Sequence, residues 1–296
     1  MRERYFVLLL IFLFLYSSLS MAENDNVKKP LPTAIISYLL DNASLQVPSL
    51  NDTWQWQLSG NINTSYDVSV YEIDLFETSE ETIKILQAKE IYVICYFSAG
   101  SLEDWREDKD QFDDSAIGNA YEGWAGEFWL DIRSQNVKDV MLSRLDLARQ
   151  KGCDAIEADN VHGFEEDTGF PLTAEDQLKF NRSLAFEAHN RAMAIGLKND
   201  SSQAEELVDD FDFAVTEELF EFSEESALSF FITKGKSVFN AEYGEDYLNN
   251  KQHRAAMCLQ SNALGFHTII LPLGLDDAFR YDCYVEEGSV DTKLTR

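Results

Sequence analysis

The chain has 296 residues, with 24 basic against 53 acidic side chains and a formal net charge of −29. Such a charge repels nucleic acid and anionic membrane surfaces and steers cationic partners inward, although a merely soluble acidic surface carries the same balance. A 45% hydrophobic share over this length supplies a sizeable core, so a disordered chain is excluded.

In chain order, residues 1–22 read as a secretory signal peptide. Arg2 and Arg4 precede the apolar run FVLLLIFLFLY, and Ser20-Met21-Ala22 supplies small residues for cleavage. The run is too short for a comfortable membrane span, and the polar AENDNVKK follows it, so a secreted or periplasmic protein is expected, with no membrane partner. Residues 23–50 hold three of the five prolines and the apolar AIISYLL, and suggest a linker. The remaining residues 51–296 form one domain by length, as an α/β barrel would.

From Trp54 onward, short runs rich in Val, Ile, Phe and Tyr alternate with amphipathic stretches, the pattern of repeated βα units. Eight strands are expected: TWQWQL, VSVYEI, IYVICYF, DAIEA, MAIGLK, FDFAVTE, SVFNAEY and HTIILPL. Eight is the number that closes a single (β/α)8 TIM barrel. Among the intervening helices, SEETIKILQAK is one. VKDVMLSRLDLARQKG is another, with Val137, Met141, Leu145 and Ala148 on one face and a stop at Gly152. TAEDQLKFNRSLAFEAHNRA opens with Thr173 and Asp176 in capping-box positions.

In such barrels chemistry sits where strands end. Polar residues fall there repeatedly: Asp74 after the second strand, Tyr96 and Ser98 on the third, Glu157, Asp159 and Asn160 on the fourth, Lys198 and Asn199 on the fifth, Glu217 on the sixth, and Glu242 and Tyr243 on the seventh. The connection from Ser98 to about Asn136 is the longest and carries Trp105, Trp124 and Trp129. It reads either as a stacking wall for sugar rings, with Trp124 and Trp129 as binding residues, or as a loop with its own small core.

Cys258 and Cys283 suit a disulfide in an exported chain, whereas Cys95 and Cys153, in or beside apolar strands, read as buried thiols. With no CxxC and no spaced histidine pair, a metal site has no support. No GxGxxG, P-loop, nucleophile elbow or HExxH occurs, which leaves no cofactor to expect. Nothing demands more than a monomer.

The ordered set WQWQLSG, VYEIDLF, CYFSAGSLEDWR, GCDAIEADNVHGF, LTAEDQLKFN, AHNRAMAIGLKND, FDFAVTEE and KSVFNAEY resembles glycoside hydrolase family 114, the endo-α-1,4-polygalactosaminidases, from about Trp54 to Cys283. The resemblance implies an exported barrel that cleaves α-1,4-linked galactosamine polymers, its polysaccharide partner being cationic where deacetylated. It also implies a catalytic pair of an Asp after strand four and a Glu after strand six. Asp159 matches the first, inside the family's Glu-x-Asp-Asn pattern at Glu157, Asp159 and Asn160. Glu217 matches the second, but Thr216, Glu218 and Leu219 stand where the family has Asn, Gln and Cys, so a family disulfide at that loop is absent.

By analogy with α-retaining barrels, Asp159 is expected as nucleophile and Glu217 as acid/base, a division of labour that two carboxyls support. Glu157, Asn160, Tyr96, Asp74, Glu242 and Tyr243 are candidates for sugar binding or for orienting the pair. Lys198 reads as a binder or as the counter-charge that a carboxylate-rich mouth needs. The alternative function is a catalytically silent barrel that tethers matrix polysaccharide, against which the retention of both acids argues.

Overall fold

The computed structural model describes residues 45–284. The expected signal peptide, and the expected linker apart from its last six residues, lie outside that range.

All eight expected strands form. They are β1 (Trp54–Gln57), β2 (Val70–Asp74), β3 (Tyr92–Ser98), β7 (Ala155–Asp159), β8 (Ala194–Lys198), β9 (Phe213–Glu217), β10 (Val238–Glu242) and β11 (His267–Ile270). Each pairs in parallel with the next, and a short β12 (Tyr281–Asp282) adds antiparallel to β11, giving a curled nine-stranded sheet. Hydrogen bonds join the first strand's neighbourhood to the last's, among them those from the Trp54 indole N–H to the His267 carbonyl at 2.8 Å and from the Leu58 and Ser59 N–H groups to the Leu275 carbonyl.

Two apolar layers follow from the period-two alternation of the strands. Trp54, Trp56, Val70, Ile94, Ala155, Ala194, Phe213, Val215, Phe239 and Ile269 form one cluster within the curl of the sheet. Ile73, Val93, Ile156, Ile195, Leu197 and Ala214 face the other way, onto helices that supply Leu86, Val137, Leu145, Phe180 and Leu184.

The expected helices are α1 (Glu80–Gln87), α2 (Gln135–Lys151) and α3 (Ala174–Asn190). Helix α1 is capped by the Ser79 side chain, which accepts from the Thr82 N–H. Helix α2 stops at Gly152, whose φ of 90° is open to glycine at little cost, and the four residues expected on its inner face are all buried. Helix α3 has the Thr173/Asp176 capping box. Later helices α4 (Ala204–Leu207), α5 (Leu219–Phe222), α6 (Ser229–Thr233), α7 (Glu245–Asn249) and α8 (Lys251–Leu264) fill the connections after β8, β9 and β10.

The long connection after β3 holds its own sheet, of order β4 (Ser101–Glu103), β6 (Glu127–Leu130), β5 (Ile117–Ala120). Among the described residues no helix is long and apolar enough to cross a membrane.

The cysteines depart from expectation in one respect. Cys258–Cys283 is a disulfide, as read from sequence, but Cys95 and Cys153 are also joined rather than remaining thiols. Cys95 lies on the helix-facing side of β3 and Cys153 just before the neighbouring β7, so parallel pairing brings their Cα atoms to 6.0 Å. Sequence separation, 58 residues, concealed a pair that strand register makes adjacent. Replacing both by Ala should lower stability by about 4 kcal/mol in the chain-entropy picture, and removing Cys258–Cys283 by slightly less, because its loop is shorter. Denaturant midpoints of the two double variants check the order.

Candidate active site

Strands β7, β8 and β9 end side by side, and each turns out of the sheet through a left-handed residue: Asn160 at φ 61°, Asn199 at 48° and Glu218 at 54°. Asparagine tolerates this region better than most residues, and the turns halt the strands with their last inward side chains at the mouth. Gly100 allows the turn after β3 to press onto this point, since a Cβ there would lie 1.7 Å from the Asn160 carbonyl oxygen.

Those last inward side chains are Asp159, Lys198 and Glu217. The Lys198 ammonium lies between the two acids, 3.2 Å from Asp159 Oδ1 and 3.2 Å from Glu217 Oε2, and 2.8 Å from Glu157 Oε1 beneath them. Its Nζ sits over the Trp56 ring, 4.8 Å from the centroid. Exposure separates two layers: the side chains of Asp159 and Glu217 are 16% and 27% exposed, whereas those of Lys198 and Glu157 are at 2% and 0%. Reagents from solvent meet the upper pair, and the lower pair supports it.

Each upper acid has its own donors. Asp159 Oδ1 accepts from the Asn160 N–H at 2.7 Å, and Oδ2 from the Tyr96 hydroxyl at 3.2 Å. Glu217 Oε1 accepts from the Tyr243 hydroxyl at 2.6 Å and Oε2 from the Asn199 amide, whose Oδ1 in turn receives the Glu217 N–H. Burial, and then the charges of Asp159 and Glu217 respectively, push the Tyr96 and Tyr243 phenols well above the usual range, so both remain hydroxyl donors. Burial opposes the charge on Lys198, but Asp159, Glu157 and Glu217 together outweigh it and hold the ammonium well above its usual pKa.

The other sequence candidates fall away from this centre or behind it. Glu157 is fully buried under the acids, not on the rim. Asn160 reaches backward, donating to Ser98, Ser101 and Glu127. Asp74 is committed to Arg106, which grips both its oxygens at 3.0 and 2.6 Å, and to the N–H groups of Phe76 and Glu77; it clamps the long connection onto β2 rather than facing the mouth as a sugar ligand. Glu242 lies on the opposite face of β10 from Tyr243. It accepts from the Phe220 N–H and the Asn240 amide, and so pins the start of α5. With Leu219 buried, this contact braces the loop after β9, where the family's cysteine is missing.

Trp129 is buried and stacks on Tyr121 at 4.6 Å, forming the small core of the added sheet, while Trp124 is 50% exposed. The two open readings of that connection therefore divide between the two residues. Sequence reasoning missed Glu72 and Trp56, and it noted Asn199 at its strand end without assigning it a part in the site. The first two were legible: Glu72 and Trp56 share the inward alternation of Val70 and Trp54.

Buried acids outside the mouth are pushed up by burial first, among them Glu127 to about 7, Glu242 to about 7 and Asp200 to about 8. A carboxyl whose folded value exceeds its unfolded value takes up a proton on folding. Its contribution is complete below the unfolded value and is lost as pH rises through the folded one. Stability, and the melting temperature with it, should therefore fall between about pH 5 and 8, the free energy by at most about 1.4 kcal/mol per pH unit for each group. Glu127→Gln should flatten that slope, and a flat wild-type profile would contradict the raised values.

Among the described residues no cluster of three or more His, Cys, Asp or Glu is placed to hold a metal ion. The family model described as Glycoside-hydrolase family GH114 matches residues 39–286. Among solved structures, Aspergillus fumigatus Ega3 in complex with galactosamine is 38% identical, with a TM-score of 0.76, over 80% of this chain and 97% of that one. The glycoside hydrolase domain of PelA from Pseudomonas aeruginosa shares the fold at 11% identity and a TM-score of 0.61, over 76% of this chain and 96% of that one. No curated protein sequence gives a significant match.

Proposed function

Because the chain belongs to glycoside hydrolase family GH114 and is a hydrolase of the endo-polygalactosaminidase kind, we propose that it cleaves α-1,4-linked galactosamine-containing polysaccharide internally, with Asp159 and Glu217 as its two working carboxyls. The observation that carries the reading is the partly exposed acid pair flanking one buried ammonium. Galactosamine, seen bound to Ega3, is a cationic sugar, and a chain of net charge −29 favours its approach. We further read the parallel sheet as a closed (β/α)8 barrel within a single domain of residues 51–296, supported by the links from Trp54, Leu58 and Ser59 to the last strand's end. Residues 1–22 are read as an export signal and residues 23–50 as a linker.

In the proposed reaction the Glu217 carboxyl gives its proton to the leaving glycosidic oxygen while Asp159 bonds to the anomeric carbon. Water then attacks that carbon, Glu217 takes the water's proton, and Asp159 leaves as carboxylate. The Tyr243 hydroxyl, a donor to the carboxylate and an acceptor from the acid, can follow Glu217 through both states. Asp159 Oδ1 and Glu217 Oε2 are each 3.2 Å from Lys198 Nζ, so they lie no farther apart than twice that distance. This favours the roughly 5 Å spacing of retaining enzymes over the roughly 6.5–9.5 Å of inverting ones.

The test is digestion of partially deacetylated α-1,4-galactosamine polymer. Shortened chains whose new reducing ends appear first as the α anomer by NMR are expected. Polymer of unchanged length would refute the substrate, and initial β product would refute retention.

A further inference from the structure

Beneath the acid pair lies a carboxyl to which the reaction above assigns nothing. Glu72, inward on β2, has no exposed surface, and neither of its oxygens receives a hydrogen bond from any nitrogen or hydroxyl donor. Glu157, also without exposure, gives Oε1 to Lys198 at 2.8 Å, but its Oε2 likewise lacks a donor. The two carboxyls adjoin, and each bears on the other's charge. Two ionised carboxylates cannot share such a contact stably in a solvent-free interior, whereas one proton between them supplies the missing donor to both.

We propose that Glu72 is a neutral carboxylic acid that donates a hydrogen bond to Glu157, and that it thereby positions Glu157 and Lys198 under Asp159 and Glu217. Burial, then the adjoining Glu157 charge, holds the Glu72 carboxyl well above the usual range. Lys198 pulls the other way, and Glu217 adds to the upward push. Asp159 contacts Lys198 and its charge bears on Glu157. With Glu72 neutral, Glu157 carries the single buried negative charge that pairs with Lys198, and the ammonium stays centred between the working acids. Glu72 is a positioning residue, acting through Glu157 on groups that meet the sugar.

This inference rests on the hydrolase reading for its kinetic consequence but not for its chemistry, so two measurements separate them. In protein labelled with ¹³C at the glutamate carboxyls, one resonance should hold the protonated chemical shift at pH 7 and vanish in Glu72→Gln. Ionisation of that carboxyl at pH 7 would overturn the proposal, whether or not the polymer is cleaved. In kinetics, Glu72→Gln, whose amide still donates to Glu157, should keep kcat within about threefold, with the limbs of the pH profile unmoved, while Glu72→Leu should lose about tenfold or more in kcat at nearly constant KM. A Glu72→Gln profile displaced to lower pH would mean that a negative charge had been removed, and it would overturn the neutral assignment. Wild-type kcat in Glu72→Leu, with its fold verified by near-ultraviolet circular dichroism, would overturn the positioning role.

Discussion

Asp159→Asn and Glu217→Gln should each cut polymer hydrolysis on the order of 10³-fold or more, with folding intact, because both side chains sit at the solvent face and each substitution keeps its shape. A galactosaminide with an acidic phenol as leaving group distinguishes the two roles. Such a phenol departs without a proton, so Glu217→Gln should form the glycosyl-enzyme at near wild-type rate and then stall at its hydrolysis, giving a burst of phenol. Asp159→Asn should give no burst. The reverse pattern would exchange the two assignments, and near wild-type turnover in either variant would remove that residue from the reaction.

Lys198→Met should be the most damaging single change in the interior. It leaves the fully buried Glu157 charge without its partner, a loss of roughly 3–5 kcal/mol, which for a domain of this size lowers the melting temperature by about 10 °C. It also removes the cation held 3.2 Å from both working acids. Maximal activity should then fall by about 10²-fold. Adding Glu157→Gln should restore much of the stability, since no buried charge remains unpaired, but not the activity. If Lys198→Met kept its rate, the central place given to the ammonium would be wrong.

The legible part of the site came from local signals. Alternation along AIEAD puts Glu157 and Asp159 on one face, and the strand-end position marks the mouth; the same reading at FAVTE yields Glu217 and at AIGLK yields Lys198. Less legible was depth. Glu157 and Asp159 are two residues apart with the same orientation, yet one is sealed and the other open, because burial depends on what the neighbouring strands place above them. Asp74 and Glu242 also occupied strand ends, and both turned out to hold loops. Asp74 meets Arg106 and Glu242 meets the Phe220 N–H, partners supplied by connections whose return paths no periodicity encodes.

What the sequence determined by itself was the order of the eight parallel strands and three of the helices, the shared face of Glu157 and Asp159, the capped start of α3 and the glycine stop of α2, and the family of the chain, since these depend on residues within a few positions of one another or on an ordered set of motifs. What only the tertiary structure decided was the Cys95–Cys153 bond, the Arg106 clamp on Asp74, the lodging of Lys198 between Asp159 and Glu217, and the sealed contact of Glu72 with Glu157. Each joins groups from different strands or loops. Their closeness follows from the register and curl of the whole sheet, to which every strand contributes and which no single segment specifies.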